Sequence, residues 1–216
     1  MENFYPLRKM IFFLIDHTDL LKAKKLESED KKNFINKYIE EYYKNHKKEL
    51  DKAVEKAKND WSKIENQFFE LIDKLFSPDN ENGLYVYQWP DGNYICYISI
   101  FNCNPRFIKE KEFQAFYKHN ATTNYVCVHE MFHFIFYDYL EKNFSNEYKT
   151  FGESVIWKLS EIINDVVLRL PGFVVLTGQI DPAIYAQTEQ ELKKYMKMWK
   201  DSAEVADFVR NYFKAI

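Results

Sequence analysis

The sequence predicts a mostly helical α+β fold, and three observations carry that expectation. Between Glu29 and Phe76 the apolar residues Ile35, Ile39, Tyr42, Leu50, Val54, Ala57, Trp61, Ile64, Phe68, Ile72 and Leu75 recur every three or four positions, the period of helices that bury one face. Leu84 to Trp89 and Asn93 to Asn102 are rich in Tyr, Ile and Val and flank Pro90-Asp91-Gly92, which predicts a small antiparallel β-hairpin. Around Met131, Phe132, Phe134 and Ile135 the residues are uncharged and mostly large, which suits a helix buried in a core.

The elements follow in chain order. Met1 to Ile15 holds a short apolar run, Met10 to Ile15, with no small-residue cleavage site before Asp16, so no signal peptide is expected. Ser28, followed by Glu29 and Asp30, reads as the N-cap of the first long helix, and Ser77-Pro78-Asp79-Asn80 ends the stripe. Unbroken, that helix would be about 70 Å long, so a break or hairpin is expected near Asn45 to Lys52. Residues 1–78 are thus expected to be an N-terminal helical region, serving as scaffold or as a lid, docking arm or inhibitory segment. Residues 79–216 are expected to form the core that carries the chemistry. Towards the end, Leu170-Pro171-Gly172 precedes a short apolar run, Phe173 to Leu176, and a final helix is expected from about Pro182 to Phe213.

The chemistry is concentrated at Cys127-Val128-His129-Glu130-Met131-Phe132-His133-Phe134-Ile135, a complete HExxH motif. Four helical residues turn the chain through about 400°, so His129 and His133 project from one face, one turn apart, as two imidazoles on a single zinc ion must. Glu130 lies beside them, where its carboxylate can take a proton from water on the metal's open position. The plain alternative is a core helix whose histidines are satisfied by hydrogen bonds, which would require each to find a partner in apolar surroundings.

A catalytic zinc site needs a third protein ligand, and the segment from Phe151 to Asp165 offers Glu153 and Glu161. If the motif helix runs to about Asn143 and reverses through Phe144-Ser145-Asn146-Glu147, an antiparallel helix brings residue 161 level with His133. Asp165, one turn further on the same face, can then accept the second ring N–H of a ligand histidine. Glu153 has Trp157 one turn on, not a carboxylate, so Glu161 is the favoured ligand and Glu153 the alternative.

His129-Glu130-Met131-Phe132-His133 followed by Glu161-Ile162-Ile163-Asn164-Asp165 resembles the HExxH plus ExxxD signature of gluzincin metallopeptidases, the thermolysin-like clan. The resemblance covers about fifty residues, 121 to 170. It implies a zincin-like core with an active-site helix and a glutamate helix, and zinc held by His129, His133 and Glu161. Glu130 is then the base, Asp165 supports the ligands, and a peptide or protein is the substrate. It also implies a strand ahead of the motif helix that runs along the cleft and pairs with extended substrate, a role that falls to Tyr97 to Asn102. One departure stands: the gap from His133 to Glu161 is longer than in thermolysin, and Glu153 fits the shorter spacing. Tyr185, Tyr195, Arg169 and His119 are candidates to stabilise the oxyanion. A second reading keeps the fold and makes the protein a catalytically idle or latent binding or regulatory module.

Composition narrows the rest. With 46% hydrophobic residues and only five Gly and six Pro, the chain has material for a core and little for disorder. The net charge of −3 argues neither for nor against nucleic acid, but the lysines alternate with acids along the helices, which reads as solvated faces, so no nucleic-acid partner is expected. No stretch approaches the eighteen or so apolar residues of a membrane span. Cys96, Cys103 and Cys127 are an odd, sparse set, which predicts reduced thiols in a cytoplasm. The oligomeric state is left open.

Overall fold

A computed structural model describes residues 17–77, 87–119, 122–180, 182, 184 and 187–216. The apolar run Met10 to Ile15, the start of the expected first hairpin strand, and Tyr185 lie outside the described residues. After a 3-10 helix (Thr18–Lys25), the amphipathic stripe forms three helices: α1 (Ser28–Asn45), α2 (Lys47–Ser62) and α3 (Glu65–Phe76). The expected break falls at His46, and a second, at Lys63 and Ile64, was not signalled by any proline or glycine. Ser28 is the first helical residue and not the cap: Glu27 takes that place without a side-chain hydrogen bond.

Among the described residues the strands are β1 (Ile95–Ser99), β2 (Arg106–Phe107) and β3 (Glu112–Phe116), in the order β1-β3-β2. The sheet is mixed. β1 runs parallel to β3, with Cys96 opposite Phe113 and Ile98 opposite Ala115, while β2 runs antiparallel to it, with Arg106 opposite Phe113. The antiparallel hairpin expected across Pro90-Asp91-Gly92 is therefore corrected. Residues 87–90 are not a strand; packing against the helices claims them instead. Trp89 lies edge-on against Phe69 at 5.0 Å, and the Tyr87 backbone N–H is donated to Ser77 Oγ at 2.7 Å. Only the second arm becomes a strand, and it pairs with residues 112–116, out of reach of any turn signal.

The second half is helical: α4 (Thr123–Asn143), α5 (Ser145–Thr150), α6 (Gly152–Val167), α7 (Pro171–Thr177), α8 (Glu189–Lys200) and α9 (Val205–Lys214). The apolar run after Leu170 is helical because Pro171 pre-sets the first turn and Gly178, at φ 69°, closes the last. The single final helix expected from Pro182 to Phe213 is two helices, parted at Asp201 to Glu204. There the Ser202 hydroxyl bonds back to the Met198 carbonyl at 2.8 Å, a local alternative to helix continuation.

α4 is buried on nearly all sides, between α2 and β3 on one flank and α6 on the other. Phe132 and Phe136 stack at 5.7 Å, and Phe132, Ile135, Phe136 and Leu140 are almost wholly excluded from water. α3 adds Phe68, Ile72 and Phe76 to the same core, which therefore draws on residues from both sides of position 78. Behind α4, Cys127 and Met131 face a largely apolar pocket of about 410 Å³, lined also by Trp61, Tyr94, Cys96 and Phe113. Among the described residues no helix is long and apolar enough to cross a membrane.

Candidate metal centre

Thr122 starts the motif helix: its hydroxyl accepts the Tyr125 backbone N–H at 3.2 Å, one of the donors a helix leaves unpaired. No glycine or proline interrupts the turns that follow, so His129 and His133 hold their one-turn spacing. Their Nε2 atoms stand 3.2 Å apart. After α4, the chain reverses through α5 and Gly152, whose φ of 71° suits a residue without a Cβ. α6 then returns antiparallel. Ser160 Oγ donates to the Tyr137 hydroxyl at 3.1 Å, Glu161 meets the two histidines, and Asn164 Nδ2 donates to the His129 carbonyl at 2.8 Å.

The turn region is longer than expected, yet Glu161 is level with both imidazoles. Glu161 Oε2 lies 3.4 Å from His129 Nε2, and Oε1 lies 3.6 Å from His133 Nε2. Donors on a tetrahedral zinc, each about 2.0–2.1 Å from the metal, are separated by about 3.4 Å. The two imidazole nitrogens, 3.2 Å apart, fit that figure, and the Glu161 carboxylate meets each of them at a similar distance, one oxygen to each histidine. Glu161 Oε2 is moreover buried without a hydrogen-bond partner, an arrangement that leaves it available to a cation. The ligand atoms of His129, Glu130 and His133 also gather within 4.8 Å of one another. Glu153 is exposed in the first turn of α6, eight residues and about 12 Å along the axis from Glu161.

Asp165 is buried, but its carboxylate does not serve the histidines as expected. Neither His129 Nδ1 nor His133 Nδ1 has a hydrogen-bond partner, whereas Asp165 Oδ2 accepts Gln187 Nε2 at 2.9 Å and Oδ1 lies 3.6 Å from Arg169 Nη1. Register explains the difference. Asn164 is already opposite His129, so Asp165 falls past the histidines towards Tyr125, whose phenol is pushed up to about 12 by burial and by the charge of Asp165. Asn164 takes the place next to the ligands: its Nδ2 also stands 3.1 Å from His133 Nε2.

The oxyanion candidates fare differently. Arg169 donates to the backbone carbonyls of Asp165 and Pro182, Tyr195 is buried in α8 against Tyr212, and His119 lies in the turn after β3. The cation at the site is one the sequence reading did not single out. Arg106 of β2 donates from Nη2 to Glu161 Oε1 at 2.7 Å and from Nη1 to Glu130 Oε2 at 3.2 Å, joining the two carboxylates. The strand that reaches the carboxylates of the site is thus β2, while β1, the expected cleft strand, turns Cys96 and Ile98 to the cavity behind α4.

Burial sets the electrostatics. His133 is fully enclosed, and desolvation together with the Arg106 charge drives its imidazole down to about 3, so it is neutral at physiological pH and its lone pair is free of a proton. Burial also penalises a charged His129, but the adjacent Glu161 carboxylate and the Glu130 charge outweigh it and raise the imidazole. Glu130 is raised by desolvation against the pull of Arg106, the direction required of a proton acceptor working near neutrality. For Glu161 burial is the largest effect, and His133, His129 and Arg106 together overcome it, holding the carboxyl far below its usual range.

No protein-family model, curated protein or solved structure matches the chain.

Proposed function

We propose that the chain is a zinc-dependent metallopeptidase of the gluzincin type, with a zincin-like core built from α4, α6 and the small sheet. His129, His133 and Glu161 are the ligands, Glu130 is the base, and extended peptide or protein is the substrate. The observation that carries this reading is the convergence of His129 Nε2 and His133 Nε2, 3.2 Å apart, on the Glu161 carboxylate, whose Oε2 lies 3.4 Å from His129 Nε2 without a hydrogen bond and whose Oε1 lies 3.6 Å from His133 Nε2. A bound zinc ion supplies Lewis acidity and brings water within reach of deprotonation near neutral pH. Glu130, raised by burial, accepts that proton and hands it to the leaving amine. All three cysteines are free, in keeping with a reducing cytoplasm, where we place the protein.

A specific observation favours the second reading, a catalytically idle or latent binding module: Arg106 already bridges both carboxylates, so part of the cluster's charge is met within the protein by a buried ion network. Metal content of protein purified without chelator or affinity metal separates the two. The enzyme reading expects about one zinc per chain, retention of that zinc in Glu130→Gln, and loss of hydrolysis in that variant by about 10² to 10⁴. Failure to bind zinc, or full activity in Glu130→Gln, would sink it.

A further inference from the structure

β2 breaks the rule that strands bury apolar and expose polar side chains. Its two residues alternate across the sheet, and Arg106, paired with Phe113, points to the interior while Phe107, paired with Glu112, points to water. The guanidinium side is 14% exposed and Phe107 is 44% exposed. A sheet gains apolar burial from the opposite register, so the observed one is retained at a cost, and such local violations mark functional positions. The placement is fixed by its neighbours: Gln114 N–H is donated to the Pro105 carbonyl at 3.0 Å, and Asn104 Oδ1 accepts the Phe116 N–H at 3.1 Å.

What Arg106 does there follows from which oxygens it takes. It engages Glu161 through Oε1 and leaves Oε2 without a hydrogen bond, and it engages Glu130 through Oε2. Without the arginine, the cluster offers a cation a choice. Glu161 could bind through both oxygens, and Glu130, whose ligand atom already groups with those of the two histidines, could bind in its place or beside it. Either outcome fills the position a substrate carbonyl needs or removes the base.

We propose that Arg106 is a positioning residue that assigns the two carboxylates their roles, restricting Glu161 to one ligand oxygen and holding Glu130 off the metal as a base. The proposal rests on the zinc reading above. Its fork geometry does this for two acceptors at once, which a lysine ammonium, a single point of charge, cannot reproduce. Arg106 also places a positive charge next to the metal site and so weakens metal binding, a cost accepted for an open coordination position.

Cobalt(II) titration of the chelator-stripped protein, read by visible absorption, tests this, because coordination number governs band intensity independently of activity. In the wild type, intense four-coordinate bands are expected. In Arg106→Met, extra carboxylate oxygens should lower band intensity by about twofold or more, cobalt affinity should rise about tenfold or more as the positive charge is lost, and peptide hydrolysis should fall. Arg106→Lys keeps the charge and only one contact. It should bind cobalt with near wild-type affinity and still show weakened bands, and it decides the matter alone if Arg106→Met does not fold. Unchanged bands in the folded variants would overturn the positioning role while leaving the metal reading intact. No cobalt bound by the wild type would instead overturn the metal reading and this role with it.

Discussion

Glu161→Gln in the metal-free protein removes one charge from the middle of a buried network. The lost carboxylate is 1% exposed, accepts Arg106 at 2.7 Å, and lies 3.4 and 3.6 Å from the histidine nitrogens. At an effective dielectric of about 20, a contact of that length is worth about 6 kcal/mol in Coulomb energy, most of it offset by desolvation. Breaking such a pair from one side costs about 3–5 kcal/mol, since Arg106 is left with Glu130 alone. For a chain of this size each kcal/mol shifts the melting temperature by about 2–4 °C, so a drop of about 6–20 °C is expected at pH 7 with chelator present. Glu153→Gln, on an exposed side chain, should stay within about 0.5 kcal/mol. The sign with pH follows from the depressed Glu161 carboxyl. Its contribution is complete above the unfolded-state value of about 4.3 and is lost as pH falls below it towards the lower folded value. The gap between wild type and Glu161→Gln should therefore narrow on acidification below about pH 4. Melting within 2 °C of wild type at pH 7 by calorimetry, or a gap that widens in acid, would refute the idea that Glu161 anchors the network.

Two further outcomes can be checked. Asn164→Leu removes the amide that ties α6 to the His129 carbonyl at 2.8 Å, at a cost of about 1–3 kcal/mol, so the melting temperature of the metal-free protein should fall by about 2–12 °C in calorimetry. Cys127 is 7% exposed, and its thiol is pushed well above the ordinary value by the Cys96 hydrogen bond and by burial. In native protein at pH 7, mass-spectrometric alkylation should leave Cys127 unmodified until denaturant is added; rapid labelling would contradict the packing behind α4.

The helices were legible because their signal is local and repeated. The stripe from Ile35 to Leu75 and the apolar setting of His133 each point to a buried face, and the antiparallel register that brought Glu161 opposite His133 needs only two helices joined by a short reversal. Asp165 failed at the same level of resolution: counting residues put it on the right face but not at the right height, one step past Asn164. Strand partners are a different problem. β1 chose residues 112–116 through contacts at a separation of 17, while the hairpin signal at Pro90-Asp91-Gly92 was overridden when Trp89 found Phe69. Arg106 was invisible for a related reason. A two-residue strand has no period to read, and which of Arg106 and Phe107 faces inward is set only by pairing with Phe113 and Glu112.

The cavity behind the motif helix divides α4 into positions that can drift and positions that cannot. Cys127 and Met131 border about 410 Å³ of open volume, so a side chain gaining a methylene there has somewhere to go. Phe132 and Ile135, on the same helix and at most 1% exposed, have no such slack, and a gain in volume would be relayed through the close-packed interior to the imidazoles. Variation among descendants of this chain should accordingly collect on the rear of α4 and be purged from its flanks, with the residues nearest in sequence to the histidines divided between the two fates.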